Sequence, residues 1–275
     1  MYQKPTVPQS IGGVLDDTLQ LYKASFASCW VPALLTALIA GAFSYFVVAP
    51  LTTGLPQTNT MLAFMSRYKD MGPGYSLGNI GVWVVTLLFN GMMIANIAAV
   101  SRGEASSFGT GLSLSLRRLL AMMGATILFS LVVGLGFVLL IIPGIYVAVR
   151  LLLFLVPLMV ESQGPTQALG TSWRLVGGNW WRTLIVITVL FVILFVLELL
   201  LGALTGVVGV FIGGRPTDTA HMIAKVSLAT LAIGMVVRVI TGPLICAMGV
   251  ALYHDLLLRK GGGDLEARLG ALPKA

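Results

Sequence analysis

The sequence predicts an all-α integral membrane protein with six transmembrane helices, arranged as three hairpins that are each preceded by an amphipathic interfacial helix. Three observations predict it. Charged residues make up 10% of the 275-residue chain, against roughly 25% in soluble domains. The mean hydropathy is +0.95, and a soluble protein of this length needs a polar surface that such a composition does not provide. Six apolar stretches are long enough, or nearly so, to cross about 30 Å of hydrocarbon. They lie at about 30–50, 79–100, 119–142, 145–161, 182–211 and 224–253, so residues 1–275 read as one membrane domain.

The first apolar run begins near Trp30, behind a polar stretch containing Asp16 and Asp17. That is not the short basic start of a secretory signal, so the run is expected to remain as an anchor. The third and fourth runs are joined by Pro143-Gly144, a turn dipeptide that predicts a tight hairpin. The fourth run is the shortest and carries Arg150, so a re-entrant or tilted segment stands beside a full crossing as a reading. The connection Leu51–Gly78 is rich in Thr, Gly and Pro and reads as a loop.

Orientation follows from Lys and Arg. With the N-terminus in the cytoplasm, Lys4, Lys23, Arg102, Arg117, Arg118, Arg174, Arg182, Arg259, Lys260, Arg268 and Lys274 are inside. Arg67, Lys69, Arg215 and Lys225 are outside, and Arg150 and Arg238 fall within spans. This asymmetry places both termini, including a tail at 256–275, in the cytoplasm. The net charge of +7 is therefore spread over span ends rather than gathered in a patch, and no nucleic-acid partner is expected.

The three interfacial helices are read from a repeated spacing. Ile11, Leu15, Leu19, Tyr22 and Phe26 are separated by 4, 4, 3 and 4 residues. Phe108, Leu112, Leu116 and Leu119 follow 4, 4 and 3, and Pro165, Leu169, Trp173, Val176 and Trp180 return to 4, 4, 3 and 4. Each set starts beside an N-cap candidate (Ser10, Ser107, Thr166) and has a basic residue near its end. The helices are placed at about 10–27, 107–118 and 165–178. The third is the strongest, with Leu169, Trp173, Val176 and Trp180 on one face and Gln167, Thr171, Arg174 and Asn179 on the other. Such a helix lies in a membrane surface with its indoles at headgroup level. Trp173, Arg174, Trp180, Trp181 and Arg182, with Arg117 and Arg118 of the second set, are the expected contacts to anionic phospholipid headgroups. Arg174 and Arg182 either grip phosphates or only hold the bundle at its depth.

No catalytic set assembles. His221 and His254 fall on opposite sides of the predicted membrane, and Cys29 and Cys246 lack metal-ligand spacing and read as small apolar residues. Neither metal nor cofactor is expected. Glu198 lies 13 residues before Phe211 and Arg238 lies 13 residues after Lys225, which puts both about 20 Å below the same boundary. An uncompensated charge there costs at least about 2.5–3.5 kcal/mol, so a Glu198–Arg238 ion pair is predicted, as an assembly lock or part of a transport path. Arg150, about 10 Å below that boundary by the same rise, has no obvious partner. Asn90 and Asn96 are its candidate hydrogen-bond partners, or else interhelical contacts.

Four segments carry a resemblance: IGGVLDDTLQLYKASF, IIPGIYVAVRLLLFLVPLMVE, ALGTSWRLVGGNWWR and ALYHDLLLRKGGGDLE. In this order they resemble the bacterial YciC-like inner-membrane proteins and the membrane domain of glycerophosphodiester phosphodiesterases. The resemblance implies a six-span bacterial inner-membrane protein. The hydrolytic barrel of the phosphodiesterases has no counterpart here, so their activity does not carry over. The expected function is non-enzymatic: a lipid-interacting or scaffold protein of the bacterial envelope. The alternative is a small transporter or channel for an anionic or lipidic solute that uses Arg150 with Glu198 and Arg238.

Overall fold

A computed structural model describes residues 2–48, 66, 72–213 and 219–270, and every regular element among them is helical. Helix α1 (Ile11–Phe43) runs into a π-helical turn (Ser44–Val48). It is followed by α2 (Gly72–Ser101), α3 (Phe108–Leu139), α4 (Ile141–Leu151), α5 (Leu155–Val160), α6 (Pro165–Val176), α7 (Trp180–Gly213) and α8 (Thr219–Gly270). Taking α4 and α5 as one segment, six helical segments are long and apolar enough to cross a membrane, which is compatible with a multi-spanning membrane protein. Helix α7 leaves Phe191, Phe195, Leu199 and Leu200 exposed, as a wall against hydrocarbon would.

Two of the three expected surface helices are not separate. Residues 10–27 form the start of α1 and residues 107–118 the start of α3, and each helix continues unbroken into its apolar run. The caps at their heads are as expected: the Ser10 hydroxyl accepts from the Gly13 amide and the Ser107 hydroxyl from the Thr110 amide. Only the third stands alone, as α6. Its cap is Gly164 rather than Thr166, with Pro165 in the first turn and the Gln167 side chain accepting from the Gly164 amide. Gly177 and Gly178 end it, Gly178 at φ 87°, where a side chain would be strained.

Between α3 and α4 the chain turns at Leu140, which is extended, and Pro143-Gly144 lies inside the first turn of α4 instead of forming the break. Proline needs no hydrogen-bond donor at a helix start, so it fits there. Gly144 is buried against α3; a Cβ on it would come within 2.6 Å of the Phe137 ring and 2.9 Å of the Phe137 backbone nitrogen. The expected tail at 256–275 begins as a continuation of α8, which runs unbroken to Gly270. The loop expected at Leu51–Gly78 falls largely outside the described residues, and α2 already begins at Gly72.

Two backbone defects are each repaired by one side chain. Pro32 inside α1 has no N–H to give the Ser28 carbonyl four residues back. Asn96 of α2 supplies the missing donor, its amide nitrogen 3.1 Å from that carbonyl. The predicted fourth span is interrupted at residues 152–154, between α4 and α5. There the buried Ser172 hydroxyl of α6 donates to the Arg150 carbonyl at 2.8 Å and accepts from the Leu153 amide at 3.2 Å. In hydrocarbon a helix break is tolerated only where such partners satisfy the freed groups.

Helices α1 and α8 pack along much of each other, α2 lies against both, and α7 closes on α8. Their polar ends meet at one carboxylate. Asp255 of α8 has a side chain 2% exposed. One oxygen accepts from the Gln9 amide at 2.8 Å; the other accepts from Arg182 at 3.1 Å and Arg259 at 3.0 Å. Both guanidiniums also donate to the Gln9 carbonyl, at 2.6 and 2.5 Å. The segment before α1 is held further back by Tyr2, which packs on the core. Burial, with the nearby Asp17 charge adding to it, raises its hydroxyl above the ordinary tyrosine range.

Three outcomes test this construction. Gly144→Ala should lower the melting temperature of the detergent-solubilised protein, with a cost of about 1–3 kcal/mol for overpacking. Gly134→Ala on α3, where a Cβ meets nothing within 4 Å, should not. Ser172→Ala should cost about 1–3 kcal/mol for each backbone group it strands; a melting curve like wild type would show that the break does not depend on it. Asp255→Ala should cost about 3 kcal/mol, the low end for a broken buried pair because Arg182 and Arg259 keep some exposure, and should speed amide exchange over residues 2–10. Unchanged exchange there would mean the clamp does not hold the N-terminal segment.

Candidate functional site

The side chain that stands out is Arg150, at the end of α4. Its guanidinium carbon lies 4.4 Å from the centroid of the Trp173 ring and 4.9 Å from that of Tyr146. Tyr146 is one helical turn before Arg150 on the same face of α4, whereas Trp173 comes from α6. Trp180, at the start of α7, completes the cradle: its ring is 5.5 Å from Tyr146 and its indole N–H donates to the Tyr146 carbonyl at 3.3 Å. The Gly177-Gly178 turn lets Trp173 and Trp180 reach the same tyrosine. A Cβ on Gly177 would already sit 3.6 Å from the guanidinium and 3.3 Å from two α6 carbonyls.

Among the described residues no ion pair neutralises Arg150. The pairs among the described residues are Arg102–Glu104, Arg182–Asp255 and Arg259–Asp255. The Arg150 Nε is buried and has no hydrogen-bond partner. The rings fix a cation whose Nε–H is buried and left without an acceptor.

The expected partners of Arg150 have other places. Asn96 is taken by the Ser28 carbonyl and is 2% exposed. Asn90 lines an apolar cavity of about 300 Å³ with Leu152, Val156, Gly242, Cys246 and Gly249, beside the α4–α5 break. Cys246 and Cys29 are buried and free. The predicted Glu198–Arg238 ion pair is not formed: both side chains are exposed and no bridge joins them. Counting residues fixes depth, but successive residues on a helix turn about 100°. Glu198 is offset from the inward face carrying Thr183, Val186 and Leu190, and Arg238 lies one position past the buried Val237.

The other cations divide into two groups. Arg182 is held by Asp255 and Gln9, and Arg118 donates to the Ser162 carbonyl at 2.5 Å, bracing a residue at φ 58°. Arg117 and Arg174 are exposed, as is Trp181 at 72%. On α6 the buried face is Ala168, Leu169, Thr171, Ser172, Leu175 and Val176, so the helix packs on protein along a face that includes two hydroxyls. Trp173 lies outside that face, against Arg150. Sequence reasoning missed Tyr146, Ser172, Asp255 and Gln9. Tyr146 to Arg150 and Asp255 to Arg259 are both i,i+4 pairs, a local signal that could have marked two of them. His254 is buried beside Tyr253, and the side chain of His221 lies outside the described residues.

No curated protein and no solved structure matches the chain, and nothing links it to the YciC-like or glycerophosphodiester phosphodiesterase families that its motifs resemble. A family model matches residues 7–256, nearly the whole length, and the chain thus belongs to the family described as a domain of unknown function, DUF7847.

Proposed function

We propose that this is a non-enzymatic, multi-spanning protein of the bacterial cytoplasmic membrane that binds the phosphates of anionic phospholipids, with both termini in the cytoplasm. One observation carries the reading: Arg150 is fixed between two rings with its charge and its donors unclaimed. Each ring contributes about 0.5–2 kcal/mol to the cation, comparable to the roughly 2.5–3.5 kcal/mol that a lone arginine costs within a membrane. The rings offset the charge but accept none of the planar N–H donors, and the buried, unpartnered Nε–H alone costs about 1–3 kcal/mol. A phosphate oxygen pair meets both needs, because guanidinium and phosphate match in a bidentate geometry. The exposed Arg117, Arg174 and Trp181 support the same reading, since each basic residue near an anionic surface contributes about 1 kcal/mol. A transport path through Arg150, Glu198 and Arg238 has less support, because the last two lie on exposed faces and make no link to Arg150.

Native mass spectrometry of gently extracted protein tests the proposal. Wild type should retain anionic phospholipid, and Arg150→Ala should retain about tenfold less, the worth of one charge-assisted contact, with little change in melting temperature. Arg150→Lys should fall between them, keeping the charge but not the fork. Equal retention by wild type and Arg150→Ala would sink the proposal.

A further inference from the structure

Away from the Arg150 cradle, α6 and α8 enclose a second pocket of about 520 Å³. Its lining includes two cations, Arg174 from α6 and Lys260 from α8, and neither takes part in an ion pair among the described residues. Arg174 is steered by its contact to the Thr171 hydroxyl at 3.4 Å. The lining also includes Glu161 and Gln163 from the segment joining α5 to α6. Glu161 accepts from the Tyr253 hydroxyl through one oxygen and from the Gln163 amide nitrogen, at 2.7 Å, through the other. That second bond aims the Gln163 amide, leaving its Oε1 buried with no donor. Two leucines, Leu175 and Leu257, complete its apolar lining.

A pocket lined by two free cations and by a carboxylate with an orphaned acceptor beside it is complementary to a dipolar ligand. We infer that it binds a phosphate ester bearing a protonated amine. The phosphate faces Arg174 and Lys260, the ammonium faces Glu161 and the Gln163 Oε1, and the short carbon linker crosses the leucines. A carboxylate retains lone pairs after two hydrogen bonds, so Glu161 can still accept from the ammonium. The volume falls within the roughly 300–1,000 Å³ of small-ligand sites. This chemistry is found in an ethanolamine-type phospholipid headgroup and in a water-soluble aminoalkyl phosphate. The inference does not depend on the Arg150 reading, which concerns a different site.

The test uses full-length protein in two arms. In detergent, calorimetry compares 2-aminoethyl phosphate with inorganic phosphate; in nanodiscs, lipid retention compares ethanolamine with choline headgroups, whose quaternary amine cannot donate. The amine-bearing member should be preferred about tenfold in at least one arm, since one charge-assisted hydrogen bond is worth that much. Preference in the lipid arm alone assigns the pocket to membrane lipid, and preference in the soluble arm assigns it to a free phosphate ester. Lys260→Ala, at an exposed position, should weaken both phosphate ligands about tenfold, the worth of one charge-assisted contact, without affecting folding. Gln163→Met should bring the two ligands level while retaining phosphate binding, and Arg150→Ala should leave the preference intact. Equal binding of amine and non-amine ligands by wild type, no binding in either arm, or binding as tight as wild type in Lys260→Ala with Arg174→Ala would overturn the inference.

Discussion

The buried carboxylate of Asp255 is the constraint on which the arrangement of helix ends depends. It joins three parts of the chain that are far apart in sequence: the segment at Gln9, the start of α7 at Arg182, and the end of α8 itself. Two guanidiniums facing one carboxylate leave an excess positive charge, and the Gln9 carbonyl takes up the remaining donors. The pair is costly to desolvate, and breaking it would cost more than forming it contributes. Its value is therefore positional. Helix α1 begins two residues after Gln9 and α7 two residues before Arg182, so this one junction sets where both helices start against α8.

Elsewhere several hydroxyls in the apolar interior are satisfied within their own helix. Thr18, Ser25, Thr36 and Thr126 each return their hydroxyl to the carbonyl four residues earlier in the same helix, a bond that needs no neighbour. Two places where the backbone departs from a regular helix use a side chain from another element instead. Asn96 answers the carbonyl that Pro32 cannot serve, and Ser172 answers both groups freed between α4 and α5. These contacts explain why an amide and a hydroxyl lie fully buried among leucines and methionines, where neither would be tolerated alone.

Much of the fold was legible in the sequence, because hydropathy and length speak for each span separately. The six apolar segments and the caps at Ser10 and Ser107 follow from local pattern. The rest depended on rotation and on distant pairing. The depths of Glu198 and Arg238 were matched by residue count, yet the two helices turn those side chains to exposed faces. Pro143-Gly144 looked like the turn, but proline is at home in a first helical turn, and the extended residue is Leu140. Asp255 and Gln9 are 246 positions apart, a separation at which no periodicity reports. The site was half legible: Arg150 and Trp173 could be singled out one by one, but not their stacking, which requires the chain to fold back across the α4–α5 break.

That fold-back gives α6 its importance. Adjacent residues on a helix point about 100° apart, and here three in a row have different tasks. Ser172 points into the protein and repairs the α4–α5 break, Trp173 turns to Arg150, and Arg174 turns toward the pocket shared with Lys260. A helix lying free on a membrane surface would have no reason to bury Ser172 and Thr171 while leaving Trp173 half out. Packed on α3, α4 and α5, it has one. The glycines at 177 and 178 complete the logic: ending the helix one turn after Trp173 brings Trp180 back to Tyr146, so the ring that holds Arg150 is itself held from both sides. A longer α6 would keep its amphipathic pattern and lose the cradle.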